Sequence, residues 1–143
     1  MIGIVADHGG YELKEFLRNT MNEKWKDYGC FSGDSVDYPD MAKALACGIK
    51  NGEVTRGIAI CGTGIGISIA LNRFSGVRAA LCYDHFTAEM ARRHNHANIL
   101  CLGGRNIKKE VAVELVKIFL QTPFDGERHE RRIQKIEENI QNC

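Results

Sequence analysis

The chain has two prolines, one tryptophan and six cysteines, and no two of the cysteines form a Cys-x-x-Cys pair. A thiol redox protein therefore lacks its usual dithiol. No apolar run reaches the roughly 20 residues of a bilayer span. The opening Met1-Ile2-Gly3-Ile4-Val5-Ala6 has no basic flank and runs straight into Asp7-His8, so neither a membrane segment nor a signal peptide is expected. An excess of one charge is missing as well. Nineteen Lys+Arg against eighteen Asp+Glu leave +1, which gives no basic field to hold nucleic acid. Internal repeats and low-complexity segments are absent. These absences describe a cytoplasmic protein with reduced thiols and no nucleic-acid or membrane partner.

The 143 residues, 44% apolar and 26% charged, suit a single globular domain over 1–143. Short apolar runs of strand type recur at 2–6, 57–61, 77–82 and 98–102, with a weaker one near Tyr28 to Phe31. Runs without clean alternation fit strands covered on both faces, as in a parallel sheet. Between them lie helical patterns. Leu13, Phe16, Leu17, Met21 and Trp25 share one face at helical spacing, as do Val111, Leu115, Ile118 and Phe119. The alternation predicts an α/β fold with a five-stranded parallel sheet and helices on both faces. Pro123-Phe124-Asp125-Gly126 sets off a last helix near 127–141, whose Ile133, Ile136 and Ile140 form a narrow stripe suited to a partner's surface.

In open parallel sheets ligands bind beyond the carboxyl ends of the strands, so the strand exits are the first candidates. The first exit is Asp7-His8-Gly9-Gly10, readable as a helix-capping loop or as a site. The third is Cys61-Gly62-Thr63-Gly64-Ile65-Gly66-Ile67-Ser68, where alternate glycines before a helix let backbone N–H groups converge on an anion. It is not a known glycine loop. Ile67 or Ile69 stands where a dinucleotide fingerprint needs its last glycine, and no Gly-Lys-Ser/Thr of a P-loop follows. A phosphatase loop would need arginine at Ile67. Cys47, Cys82 and Cys101 read as small core hydrophobes. Cys61, at a strand end beside a helix start, is either a buried structural thiol or a base or nucleophile, because positive charge there favours the thiolate.

Arg92-Arg93-His94-Asn95-His96 ends the fourth helix, and two histidines alone make a poor metal site. Helices in this fold run antiparallel to their strands, so His94 belongs at the end of the sheet away from Cys61. If the two act together, they come from different subunits. In the last helix Arg128 and Arg132 lie about 40° apart beside the isoleucine stripe, able to converge on a phosphate, while Arg131 points away. Gly103-Gly104-Arg105 follows the fifth strand.

Asp7-His8-Gly9, Asp37-Tyr38-Pro39, Cys61 through Gly66, His94-Asn95, Gly103-Gly104-Arg105 and Arg128-His129-x-x-Arg132, in this order and spacing, resemble ribose-5-phosphate isomerase type B of the ribose/galactose sugar-phosphate isomerases. The resemblance covers essentially the whole chain. It implies a Rossmann-like three-layer α/β/α sandwich and a homodimer with sites at the subunit interface, with a dimer of dimers left open. It also implies that no metal or organic cofactor is used.

By the same resemblance Cys61 moves the proton between C1 and C2, with Thr63 assisting, and His94 opens the sugar ring. Asp7, His8, Tyr38 and Asn95 hold the sugar. Gly62, Gly64, Ile65 and Gly66 stabilise the enediolate, and Arg105, Arg128, Arg132 and His129 hold the phosphate. Family members without the cysteine carry a carboxylate at what matches Ile67, so this chain is of the cysteine type. The substrate implied is ribose 5-phosphate. A six-carbon ester (allose 6-phosphate or galactose 6-phosphate) and a non-catalytic phosphate-binding or nucleotide-binding module are the alternatives.

Overall fold

In a strand, successive side chains point to opposite faces, and each central strand here sorts its residues into two separate cores. Ile4 and Ala6, Ile58 and Ile60, and Leu100 and Leu102 face one side, while Val5, Ala59, Cys61, Ile99 and Cys101 face the other. Both sides are covered, which is why the runs read as apolar throughout. The computed structural model describes residues 1–139. It contains β1 (Ile2–Ala6), α1 (Tyr11–Thr20), β2 (Trp25–Asp27), α2 (Tyr38–Lys50), β3 (Gly57–Cys61), α3 (Ile65–Leu71), β4 (Ala79–Leu81), α4 (His85–Arg93), β5 (Ile99–Gly103), α5 (Lys109–Gln121) and α6 (Arg128–Asn139).

The five strands form one parallel sheet in the order β2-β1-β3-β5-β4. Leu13 and Leu17 of α1, Ala88 and Ala91 of α4, and Leu115, Val116 and Phe119 of α5 cover one face. Leu45 and Ala46 of α2 with Ile67 and Leu71 of α3 cover the other. The α/β three-layer fold read from the sequence is therefore the fold observed. Helices α1 and α3 leave the neighbouring strands β1 and β3 toward opposite faces, and this divergence opens a crevice at their carboxyl ends.

Several details differ from the sequence reading. The second strand is Trp25–Asp27, not 28–31, and Trp25 belongs to it rather than to the first helix. Helix α1 stops at Thr20, with Met21 extended (ψ 134°) and Trp25 pairing with Ile2 in the ladder. Residues 28–30 still bond to β1, Tyr28 N to Ile4 O at 2.9 Å and Cys30 N to Ala6 O at 2.7 Å, which accounts for their strand-like pattern. Cys47 is exposed, because Ala42, Leu45 and Ala46 define the inner face of α2 and position 47 falls on the outer one. In α6, Ile133 is buried against its own chain and Ile136 is about half exposed. Ile140 lies outside the described residues.

Helix α6 is tied to the loop before β4 by Glu137, which accepts from Ser75 Oγ (3.1 Å) and Gly76 N (3.0 Å). The outer edge of β4 is closed by Asn72. Its amide donates to Ala79 O at 2.9 Å and accepts from Ala79 N at 2.8 Å, as a neighbouring strand would. A buried cation lies beneath α1. Lys14 is fully buried and donates to both Asp27 carboxylate oxygens (2.9 and 2.8 Å) and to Cys30 O (2.6 Å). Arg18 reaches the same carboxylate at 2.9 Å.

Candidate active site

The crevice between β1 and β3 gathers most of the residues singled out in the sequence. Asp7 is buried, and its Oδ1 accepts from Gly9 N (2.8 Å) and Gly10 N (3.1 Å), so the carboxylate shapes the loop. The helix cap itself is Gly10, not Asp7. Cys61 ends β3 opposite Gly103 of β5. The β5 exit is pinned to it: Gly104 N donates to Cys61 O (2.8 Å) and Arg105 N to Gly62 O (3.0 Å). A methyl group on Gly62 would stand 3.1 Å from Arg105 Nη1, so the guanidinium lies against the loop.

Gly64 caps α3 with φ +78°, a conformation that side chains rarely adopt, and a Cβ there would meet Leu102 C at 2.9 Å. This geometry turns the Gly64 N–H onto Cys61 Sγ at 3.2 Å. The sulfur of Cys61, a residue only 5% exposed as a whole, thus faces a backbone donor and the start of a helix, both of which present positive charge. Thr63 Oγ1 accepts from Ile65 N (3.2 Å), which leaves the hydroxyl hydrogen free to donate. Tyr38, at the first turn of α2, lays its ring against Gly66; a Cβ there would come within 2.5 Å of it. Ile67 is wholly buried in the core.

Two cavities meet at His8. One of about 410 Å3 is lined by Asp7, Asp37, Tyr38 and Asp40, and another of about 480 Å3 by Gly9, Tyr11, Gly104 and Arg105. Both volumes are those of small-molecule sites. His8 Nδ1 accepts from Val36 N at 3.2 Å, so the neutral ring carries its proton on Nε2 and can donate into the cavities. Asp37 stood out in the sequence only within the Asp37-Tyr38-Pro39 motif, and Asp40 and the Val36 amide were missed, since a backbone partner 28 residues away leaves no local signal.

His94, Asn95, His129, Arg128 and Arg132 are not in this crevice. His94 ends α4 ahead of the first residue of β5, whereas Cys61 pairs with the last, so roughly 13 Å of strand lies between the two ends. His94 and His129 stack with ring centroids 4.3 Å apart and planes 11° from parallel. Burial lowers the pKa of His129, and His94, Arg128 and Arg132 push it the same way against the opposing Asp125. Arg128 and Arg132 are exposed.

With Asp125 the two rings form a group of metal-ligand type, one donor atom from each within 4.8 Å of the others. Stacked rings present faces rather than converging lone pairs, however, and Asp125 already carries Arg93 at 3.1 Å. The arrangement suits an oxyanion or a hydroxyl better than a cation. Burial pushes the thiols of the core up, Cys82 to about 11 and Cys101 well above its ordinary value.

Residues 2–136 match the family model described as Ribose/Galactose Isomerase. A crystal structure of a ribose 5-phosphate isomerase from Thermotoga maritima superposes with a TM-score of 0.94 at 51% identity, covering 96% of this chain and 97% of that one. Ribose-5-phosphate isomerase B of Escherichia coli (strain K12) is 38% identical over 138 residues, 94% of this chain and 93% of its own. A D-erythrulose-4-phosphate isomerase of Pectobacterium atrosepticum is 37% identical over 139 residues, 94% of this chain and 91% of its own. The chain belongs to the ribose/galactose isomerase family and is a sugar-phosphate isomerase.

Proposed function

We propose that the chain interconverts D-ribose 5-phosphate and D-ribulose 5-phosphate through an enediolate. The observation that carries this reading is the Gly64 N–H aimed at Cys61 Sγ at the strand end beside cavities lined by Asp7, His8 and Arg105. Cys61, as thiolate, removes the C2 proton of the open-chain aldose to give the enediolate, the O2 hydroxyl proton passes to O1, and the proton held by the thiol is returned to C1, which leaves the C2 carbonyl and regenerates the thiolate. General-base catalysis needs only a thiolate fraction at neutral pH and hydrogen-bond reach to the proton. The negative charge then grows on a sugar oxygen. The first N–H groups of α3 have no partners within their helix, and such fixed donors are worth about 3–4 kcal/mol each. Thr63 donates its hydroxyl hydrogen within the same loop.

His8 and Asp7 hold sugar hydroxyls, with Tyr38 as a wall, and Arg105 holds phosphate. His94, with Asn95 at its side, protonates the ring oxygen and takes the proton of the anomeric hydroxyl to open the furanose. Arg128, Arg132 and His129 complete the phosphate end. Because His94 and Cys61 lie at opposite ends of β5, the complete site takes Cys61 from one copy and His94 from another. A homodimer is the smallest assembly with such sites, and the half-exposed Ile136 on α6 suits its interface.

A second reading is favoured by the family description, which spans ribose and galactose esters, and by the four-carbon relative. On that reading the chemistry is the same and the substrate differs in length. Incubation of the purified protein with ribose 5-phosphate, allose 6-phosphate, galactose 6-phosphate and D-erythrulose 4-phosphate separates the two. Rapid turnover of the ribose ester is the expected result, and turnover of another ester alone moves the substrate. No turnover of any ester overturns the isomerase mechanism. Sedimentation of a fully active monomer would overturn the shared site.

A further inference from the structure

The segment between α5 and α6 grips the end of α4. Asp125 donates its backbone N–H to the Arg93 carbonyl (3.0 Å) and accepts from Arg93 Nη1 (3.1 Å). The Thr122 carbonyl accepts from Arg92 Nε (3.3 Å). Phe124 lies flat on the His96 ring, with centroids 4.4 Å apart and planes at 0°. His94 stands inside this grip, one residue after Arg93 and two before His96.

The grip answers a backbone need. His96 has φ 48°, left-handed for a residue with a Cβ, and such a conformation persists only where the surroundings fix it. Phe124 fixes its ring, and Arg78 Nε holds its carbonyl at 3.0 Å. The turn ends α4 and sends the chain into β5, with Ala97 N reaching back to Ala91 O at 2.9 Å. The direction of the helix end that carries His94 is therefore set by contacts from residues 122–125. Opening a sugar ring requires an imidazole nitrogen within hydrogen-bond reach of the ring oxygen. A displacement of about 1 Å can cost about a hundredfold in rate.

We propose that Phe124 and Asp125 are positioning residues for His94, holding the α4 terminus through the His96 stack and the Arg93 clamp so that the imidazole meets the ring oxygen of the aldose. The inference rests on the ring-opening role given to His94 above. Neither residue touches the reacting carbons.

The two directions of the reaction separate this role from general damage. Ribose 5-phosphate is held mainly as a furanose and must be opened. Ribulose 5-phosphate cannot close a furanose, because the C5 oxygen that would attack its carbonyl carries the phosphate. Conversion of ketose to free aldehyde therefore reaches the proton transfer with no ring step. Initial rates are measured from the ribose ester, and from the ribulose ester with the aldehyde trapped, for wild type, Phe124→Ala, Phe124→Tyr, Asp125→Ala and His94→Asn.

The proposal expects Phe124→Ala and Asp125→Ala to lose about tenfold or more in kcat from the aldose while staying within about threefold from the ketose. Phe124→Tyr, which keeps the stack, restores the aldose rate. Asp125→Ala removes an exposed carboxylate that pairs with Arg93 and lies within 4.8 Å of the His94 and His129 ring nitrogens, and it carries the test if Phe124→Ala does not fold. Equal loss in both directions, or no loss, while His94→Asn shows the one-sided defect, overturns the positioning role alone. A His94→Asn variant without a one-sided defect overturns the ring-opening reading, and the proposal with it.

Discussion

At the carboxyl end of β5, Gly104 and Arg105 are fastened to Cys61 and Gly62 by their own amides, and the Cys61 sulfur receives a backbone N–H. At the amino end, His94 and His129 are held by ring faces and by the ion pair of Arg93 with Asp125. One half of the candidate site is thus mounted on main chain and the other on side chains. Main-chain mounting fixes geometry without any titrating group, and its weak points are the glycines. Side-chain mounting brings proton-transfer groups but makes their placement depend on pH and on the packing of a neighbouring segment.

The largest effect expected is at Cys61. Cys61→Ala should lower turnover by about 1,000-fold or more while leaving the thermal unfolding midpoint nearly unchanged, since only a small buried group is lost. Retained turnover would erase the distinction between the two ends. Next comes Lys14. Lys14→Ala leaves the Asp27 carboxylate, with 11% of its side chain exposed, to Arg18 and the Gly29 N–H and should cost about 3 kcal/mol in denaturant unfolding. Lys14→Met should recover most of that, because an apolar chain of similar volume refills the space. An equal cost for both would mean that packing rather than charge holds this corner.

Gly64→Ala should cost about 2 kcal/mol from its left-handed φ and its approach to Leu102. It should also lower turnover about tenfold by moving the donor off Cys61, read as kcat at saturating substrate. The smallest effect belongs to the other end. His96 and His129 have pKa values lowered by burial, His96 also by Arg92 and Arg78, and His129 also by His94, Arg128 and Arg132. Below about pH 6.5 the unfolded chain binds protons at these positions that the folded chain refuses, so stability is full above that pH and falls as pH drops toward the folded values. Unfolding curves at pH 5.5 and 7.5 should show the loss, and His96→Gln with His129→Gln should flatten it.

This contrast also explains what was legible in the sequence. The carboxyl-end loop announced itself because backbone sites require glycine at fixed positions, and Asp7, Cys61 and Gly64 fell where the spacing placed them. Three of the five strands matched to within a residue for the related reason that double-sided burial leaves only apolar types. The amino-end pairing of His94 with His129 was invisible, since nothing local links positions 35 residues apart. Trp25 was read into a helix because its spacing from Met21 fits 3.6 residues per turn, yet a strand residue facing the same core satisfies that spacing equally. Phe124 and Asp125 were seen only as a break between elements. Their contacts with His96 and Arg93 exist only once α4 and α5 lie side by side.

Asn72 has a consequence beyond its two hydrogen bonds. A parallel sheet with an open edge is a template on which another chain can add strands without limit. By presenting an amide of its own to Ala79, the chain ends the sheet with a side chain that has no further strand behind it. Sheet growth is thus blocked from within at Ala79, where a further strand would have to pair.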